Sequence, residues 1–297
     1  MSDSISIDNK FIYKNLSSSI NPKGVVHICH GMAEHIGRYN WLIEKLNNDG
    51  YHVISIDHRG HGNRIGDNPK GFFDDQNGWN LVVDDLSLLI KQSKQEHPNL
   101  KQFLIAHSMG SWIALSALQN NIAIDGLILS GSSKPAKFII LIQKILIKIQ
   151  ILFFGKKSVS LFLDNITLGS YNNFFKPNRT KKDWISSDDD NVDNYIADSL
   201  CGFPVTNGLW DDLANGILKV FNNNNYSLSD NSIPIFIISG SKDPVGENGK
   251  GVIRLNNFLS NIFSDVSIKI VDEARHEVFS ETTKENSYNT LIKFIES

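Results

Sequence analysis

The sequence predicts an α/β fold: a mostly parallel central sheet with helices on both faces, and a mainly helical segment inserted after the sixth strand. Short apolar, β-rich runs recur with helical stretches between them, the pattern of a parallel sheet covered on both faces. The rhythm lapses from about Pro135 to Asn225 and resumes at Ile233. At 297 residues the chain is long enough to bury a substantial core.

The elements follow in order. "ISIDNKFIYKNL" supplies one or two edge strands, and Val25 to Cys29, His52 to Asp57, Gln102 to His107 and Gly126 to Ser130 read as buried strands. After the gap, Ile233 to Ser239 and Val266 to Val271 read the same way. Between them, "YNWLIEKLNNDG" is a helix stopped by Gly50, and "GWNLVVDDLSLLIKQSKQEH" spaces its apolar residues by three to four before Pro98. "VIRLNNFLSNIF" and "ENSYNTLIKFIE" are later helices. The expected organisation is a core of residues 1–134 and 226–297 with a cap of residues 135–225, and "NNNN" at Asn222 to Asn225 is a polar return loop.

Composition narrows the function. With 41% hydrophobic and 21% charged residues the chain reads as an ordinary globular enzyme. A formal charge of −3 and the lack of any block of five like charges speak against nucleic acid. Cys29 and Cys201 lie in unrelated segments, so no disulfide framework is read and a reducing, cytoplasmic setting is expected. "MSDSISIDNKF" lacks the basic start and apolar core of a secretion signal. "FIILIQKILIKIQILFF" (Phe138 to Phe154) is interrupted by Gln143, Lys144, Lys148 and Gln150 and falls short of the about 20 residues of a membrane span.

The chemistry concentrates at strand ends. Ala106-His107-Ser108-Met109-Gly110 stands where a buried strand meets a helix. Small residues two positions either side of the serine let strand and helix approach at a tight, strained turn. That turn lifts the hydroxyl clear of the sheet and aims the first helical N–H groups at whatever the serine attacks. A serine hydroxyl needs a base, and the base needs a carboxylate to orient it. Asp243 in "FIISGSKDPVG" and His276 in "IVDEARHEVFSE" each follow a strand, in the order serine, acid, histidine. Asp272 is the competing acid, ranked below Asp243 because a loop so short would struggle to bring Asp272 and His276 into contact. His30-Gly31 follows the first core strand directly, so the Met32 and Met109 N–H groups are the expected oxyanion donors. A metal site at His30, His35, His58 and His61 is not read, because no carboxylate-rich or His-x-x-x-His pattern accompanies them. The histidines of "DHRGHG" are read as structural.

These segments, "HGMAEHIGRY", "DHRGHG", "AHSMG", "SGSKDPVG" and the terminal "RHE", resemble the monoacylglycerol lipase and lysophospholipase-like branch of the α/β-hydrolases, also grouped with the serine aminopeptidases of S33 type. The resemblance runs from about Val25 to the C-terminus and includes the cap segment "DWISSDDDNVDNYIADSLCGFPVTNGLWDDL". It implies Ser108 as nucleophile, Asp243 and His276 as its partners, Met32 and Met109 as oxyanion donors, and hydrolysis of a carboxylic ester of a single-chain lipid through an acyl-serine. It implies neither cofactor nor metal. Ala106 departs from the family's usual glycine, and a slightly tighter elbow with intact chemistry is expected.

The cap run from Phe138 has a wide apolar face and a narrow basic stripe. The preferred reading packs this face on the core, where it lines a pocket for a medium acyl chain; the other lets it dip transiently into a lipid surface. A monomer or homodimer fits. Ser108 excludes the dehalogenase and epoxide hydrolase chemistries, which need a carboxylate at the elbow. An aminopeptidase anchored by "SDDDN" at Ser187 to Asn191 and a thioesterase are the alternatives, and a binding role without chemistry is disfavoured because every catalytic position is present. Activity should decline as pH falls through about 6.5, where His276 would protonate.

Overall fold

A computed structural model of the protein describes residues 7–297. The reading of a missing secretion signal, and Ile5 and Ser6 of the first edge segment, lie outside the described residues or partly so. The elements run β1 (Ile12–Asn15), β2 (Gly24–Cys29), α1 (Asn40–Asn48), β3 (Tyr51–Ile56), α2 (Gly78–Glu96), β4 (Lys101–His107), α3 (Met109–Leu118) and β5 (Gly126–Ser130). The inserted helices are α4 (Lys137–Phe154), α5 (Leu161–Ile166), α6 (Leu168–Tyr171), α7 (Asp189–Ala197) and α8 (Asn207–Val220). The chain closes with β6 (Ile235–Gly240), α9 (Lys250–Leu259), β7 (Val266–Val271) and α10 (Lys284–Ile295).

The described strands form one seven-stranded sheet in the order β1-β3-β2-β4-β5-β6-β7. Only β1 is antiparallel, pairing with β3; every other neighbouring pair is parallel. Successive side chains of a strand point to opposite faces, and the core divides accordingly. Cys29, Leu104, Ala106, Leu127, Leu129, Ile235 and Ile237 pack beneath α2, α3, α8 and α9. Val26, Ile28, Phe103, Ile105, Ile128, Phe236 and Ile238 face α1 and α10. Both faces are apolar because both are covered.

One expectation is corrected. β7 was expected to be buried, yet Ser267, Ile268 and Lys269 are exposed, because it is the outermost strand and has a neighbour on one side only. The insertion leaves the sheet after the fifth described strand; a count of six supposes a second edge strand ahead of Ile12. Its last helix, α8, packs on α2 and α3, so the insertion also supplies part of the layer that covers the sheet.

The inserted run of Phe138 to Phe154 is a helix, as its spacing predicts, but its apolar face is mostly uncovered. Within α4 only Ile140 and Ile147 are buried, while Leu152 and Phe153 are 79% and 73% exposed. Among the described residues, no helix is long and apolar enough to cross a membrane.

Candidate active site

The loops that leave the C-terminal ends of β2, β4, β5, β6 and β7 meet at one end of the sheet. Ser108 occupies the turn from β4 into α3 with φ 51° and ψ −121°, a conformation that costs a residue with a side chain about 1–3 kcal/mol. Its neighbours hold it there. The Ser108 N–H donates to the Ser130 carbonyl at 2.9 Å, and the Ser111 N–H donates to the Ser108 carbonyl at 2.9 Å. A Cβ on Gly110 would stand 2.2 Å from the Cys29 carbonyl oxygen and 2.5 Å from that of His30, so α3 begins directly against the end of β2. Ala106 is fully buried between Cys29 of β2 and Leu129 of β5; its methyl is absorbed by the core beneath α3.

The loop after β2 closes around the same point. A Cβ on Gly31 would lie 3.2 Å from the Ser108 Cβ. Met32, Ser108 and Met109 line one cavity of about 280 Å³. Among the described residues, neither the Met32 nor the Met109 amide donates a hydrogen bond to another protein group. The two residues whose amides are unpaired thus line the same cavity as the serine.

Asp243 directly precedes Pro244 and Val245 of this cavity's wall, and Asp243 and His276 are both buried. The His276 Nδ1–H donates to Asp243 Oδ1 at 3.0 Å. That oxygen also accepts from the Val245 N–H at 2.9 Å, and Oδ2 accepts from the Ser239 hydroxyl at 3.0 Å. Asp272 is not part of this arrangement: it accepts from Ser241 at the exposed surface. Burial by itself would lower the His276 pKa. The charge and hydrogen bond of Asp243, followed by the charges of Glu277 and Glu34, outweigh it and hold the imidazole above its ordinary 6.5. Among the described residues, Ser108 Oγ makes no hydrogen bond; such bonds commonly tighten only when substrate is bound.

His30, His58 and His61 are tied into the backbone. His30 Nδ1–H donates to the Gly31 carbonyl at 2.7 Å and its Nε2 accepts the His58 N–H at 2.9 Å. His58 Nε2–H donates to the His30 carbonyl at 2.9 Å. Burial depresses the pKa of both and of His61, so all three stay neutral. His35 lies near Asp198 and Cys201, with ligand-type atoms within 4.8 Å of one another. The His35 Nδ1 accepts from the Gly37 N–H at 3.2 Å. The proton therefore resides on Nε2, which donates it to Asp198 Oδ2 at 2.8 Å, and the group is a hydrogen-bonded clasp. Both cysteines are free and buried.

Three residues that shape the site were not singled out from the sequence. Glu34 is buried, accepts the Gly31 N–H and accepts the Tyr39 hydroxyl at 2.8 Å; burial, then Glu277, raises its pKa. The rings of His107 and Trp184 flank that of His276, with centroids 4.7 Å and 5.1 Å away. Burial, then the neighbouring His276, keeps His107 well below the ordinary imidazole range and hence neutral. Glu34 and Trp184 both lie within segments that carried the resemblance, "HGMAEH" and "DWISSDDDN", but neither residue type by itself pointed to the histidine loop.

The acidic run at Ser187 to Asn191 stands apart from the serine. Asp188 caps α7 by accepting the Asn191 N–H, and Asp189 pairs with Arg179. Neither borders the Ser108 cavity, where Glu247 is the one carboxylate among the described residues, and Glu247 is already paired with Arg254.

Comparison with known proteins bears on the family and the fold. The chain is 26% identical to a monoglyceride lipase homolog of Monkeypox virus over 93% of its length and 90% of the relative's. It is 25% identical to the human monoglyceride lipase, over 88% and 77%. A thermostable carboxyl esterase from Bacillus coagulans, solved in complex with glycerol, superposes with a TM-score of 0.86 at 28% identity, covering 96% of this chain and 93% of that one. The sequence matches the family described as serine aminopeptidase, S33, over residues 20–283. With the seven-stranded sheet and most of its length so matched, the chain belongs to that family, within the monoglyceride lipase and lysophospholipase-like branch of the α/β-hydrolases.

Proposed function

We propose that the protein hydrolyses esters of single-chain lipids, of monoacylglycerol or lysophospholipid type, through an acyl-enzyme formed on Ser108. That the chain is a carboxylic ester hydrolase follows from its membership and its relatives. The finer reading is carried by one observation: a serine held in a strained strand-to-helix turn shares its cavity with two unpaired amides, beside a buried His–Asp pair. In this reading His276 takes the Ser108 proton as Oγ attacks the ester carbonyl, and Asp243 holds the imidazole in the required tautomer. The Met32 and Met109 amides receive the oxyanion. His276 then returns the proton to the departing alcohol, and a water activated by the same imidazole releases the acid.

The cavity favours an ester over a peptide. Its walls include Met32, Trp112, Ile140, Ile166, Trp210 and Leu213, which suit an acyl chain. Among the described residues its one carboxylate, Glu247, is paired with Arg254, so none of them offers a free acid to a substrate amine. At about 280 Å³ it lies just below the roughly 300–1,000 Å³ common for ligand pockets, which fits a medium chain. Residues 135–225 act, in this proposal, as the cap that encloses that chain. The exposed apolar residues of α4, together with Lys137 and Lys144, form the face by which the cap rests transiently on a lipid surface.

Three outcomes test these statements. Against p-nitrophenyl esters of two to sixteen carbons, 1-monoacylglycerol, lysophosphatidylcholine, an acyl-CoA and an aminoacyl anilide, the esters are expected to turn over best at medium length. Ser108→Ala should lose at least about 10⁴-fold in kcat; activity confined to the anilide, or retained by Ser108→Ala, contradicts the reading.

The acid limb of kcat/KM reports the free-enzyme imidazole. Because His276 is raised and only its neutral form accepts a proton, the limb should have its midpoint above 6.5, higher than the sequence alone suggested. A flat profile, or a midpoint below 6.5, counts against His276 as base.

Flotation with phosphatidylglycerol vesicles should recover the wild type, and Leu152→Asp with Phe153→Asp should lower recovery at least about tenfold, as loss of two apolar contacts implies. Activity on a soluble short ester should be unchanged. Equal recovery of both proteins rejects the lipid-facing cap.

A further inference from the structure

We propose that the rear half of the insertion, Asp183 to Gly202, positions the catalytic loops, with Tyr195 and Asp198 as positioning residues for the Met32 amide. This rests on the reading of that amide as an oxyanion donor. Ala33, the next residue, has φ +56°, and its carbonyl accepts two hydrogen bonds, both from the insertion. One comes from the Tyr195 hydroxyl at 3.1 Å and the other from the Gly202 N–H at 2.8 Å. Two residues further on, the His35–Asp198 bond of 2.8 Å ties the loop to the same segment. The core contributes the Glu34 carboxylate on the Gly31 N–H, itself held by Tyr39.

The same stretch grips the histidine loop. The Ile185 carbonyl accepts the Glu277 N–H at 2.8 Å, and the Ser186 carbonyl accepts from Arg275 at 2.9 Å. The Ser187 N–H donates to Glu281 at 3.0 Å, and Glu281 also accepts the Arg275 N–H at 2.7 Å. Trp184 packs on the His276 ring. One run of chain therefore spans the oxyanion loop and the base. The exposed apolar face of the insertion lies elsewhere, on α4, so lipid contact and loop positioning fall on separate halves of the cap.

An oxyanion donor acts only if it stands at hydrogen-bond distance from where the charge develops, and a contact made only in the transition state changes kcat without KM. Tyr195→Phe removes one donor from the Ala33 carbonyl and keeps the buried ring. Asp198→Asn weakens the His35 clasp. In the full chain, each is expected to lower kcat on p-nitrophenyl butyrate about tenfold with KM unchanged, and to weaken an alkyl boronic acid, a tetrahedral analogue, by a similar factor.

A rise in KM with kcat and boronate affinity preserved would mean that these residues only hold the cap in place, and would overturn the proposal. So would wild-type values throughout with Ser108→Ala inactive, whereas activity in Ser108→Ala would bring down the serine reading itself and this proposal with it. Thermal melts report folding, and Tyr195→Phe decides alone if Asp198→Asn does not fold.

Discussion

Everything at the site depends on the close approach of α3 to the end of β2. Gly110 lies so near the Cys29 and His30 carbonyls that no side chain fits, and this contact turns the chain at Ser108 through a backbone conformation that side chains avoid. The strain is supported by burial: α3 is buried along its whole length and packs against α2 and α8. Packing energy spread over a helix thus maintains an unfavourable geometry at one residue, and the Met109 amide is left unpaired at the helix start. A free donor and a lifted hydroxyl are two consequences of one contact.

The second constraint is electrostatic. A histidine buried this deeply would ordinarily be a weak base, and the neutral His30, His58, His61 and His107 show what burial does in this protein. His276 departs from them because Asp243 lies against it, with Glu277 and Glu34 adding charge of the same sign. Asp243 is in turn held by the Ser239 hydroxyl and the Val245 N–H. The strand ends therefore supply an imidazole of raised proton affinity and the carboxylate that orients it. The insertion supplies Trp184, which together with His107 confines the imidazole ring.

Much of this was legible in the sequence for a physical reason. A parallel sheet buries its strands on both faces, so each strand reads as an apolar run, and the loops that follow these runs reach one end of the sheet: the candidates Met32, Ser108, Asp243 and His276 were all chosen from them. Local rules failed where a long-range contact decides the outcome. β7 reads like a buried strand but takes the edge position. α4 reads as a helix, yet nothing in its own spacing tells that Ile140 and Ile147 face inward while Leu152 and Phe153 face out. Trp184 and Tyr195 touch loops distant in sequence, and neither residue type signals its target. Glu34 stood within a recognised segment, but its function as the anchor of the Gly31 N–H needed the loop's path.

The central claim is that Ser108 becomes covalently acylated between two donors and a base. Acid quenching of a reaction with p-nitrophenyl butyrate within milliseconds, followed by mass analysis of the digested protein, tests it most directly. The account predicts one butyryl group per chain on the peptide carrying Ser108, formed together with a stoichiometric burst of p-nitrophenol. Turnover of the ester with no adduct at any quench time, or with the acyl group on another residue, would contradict it.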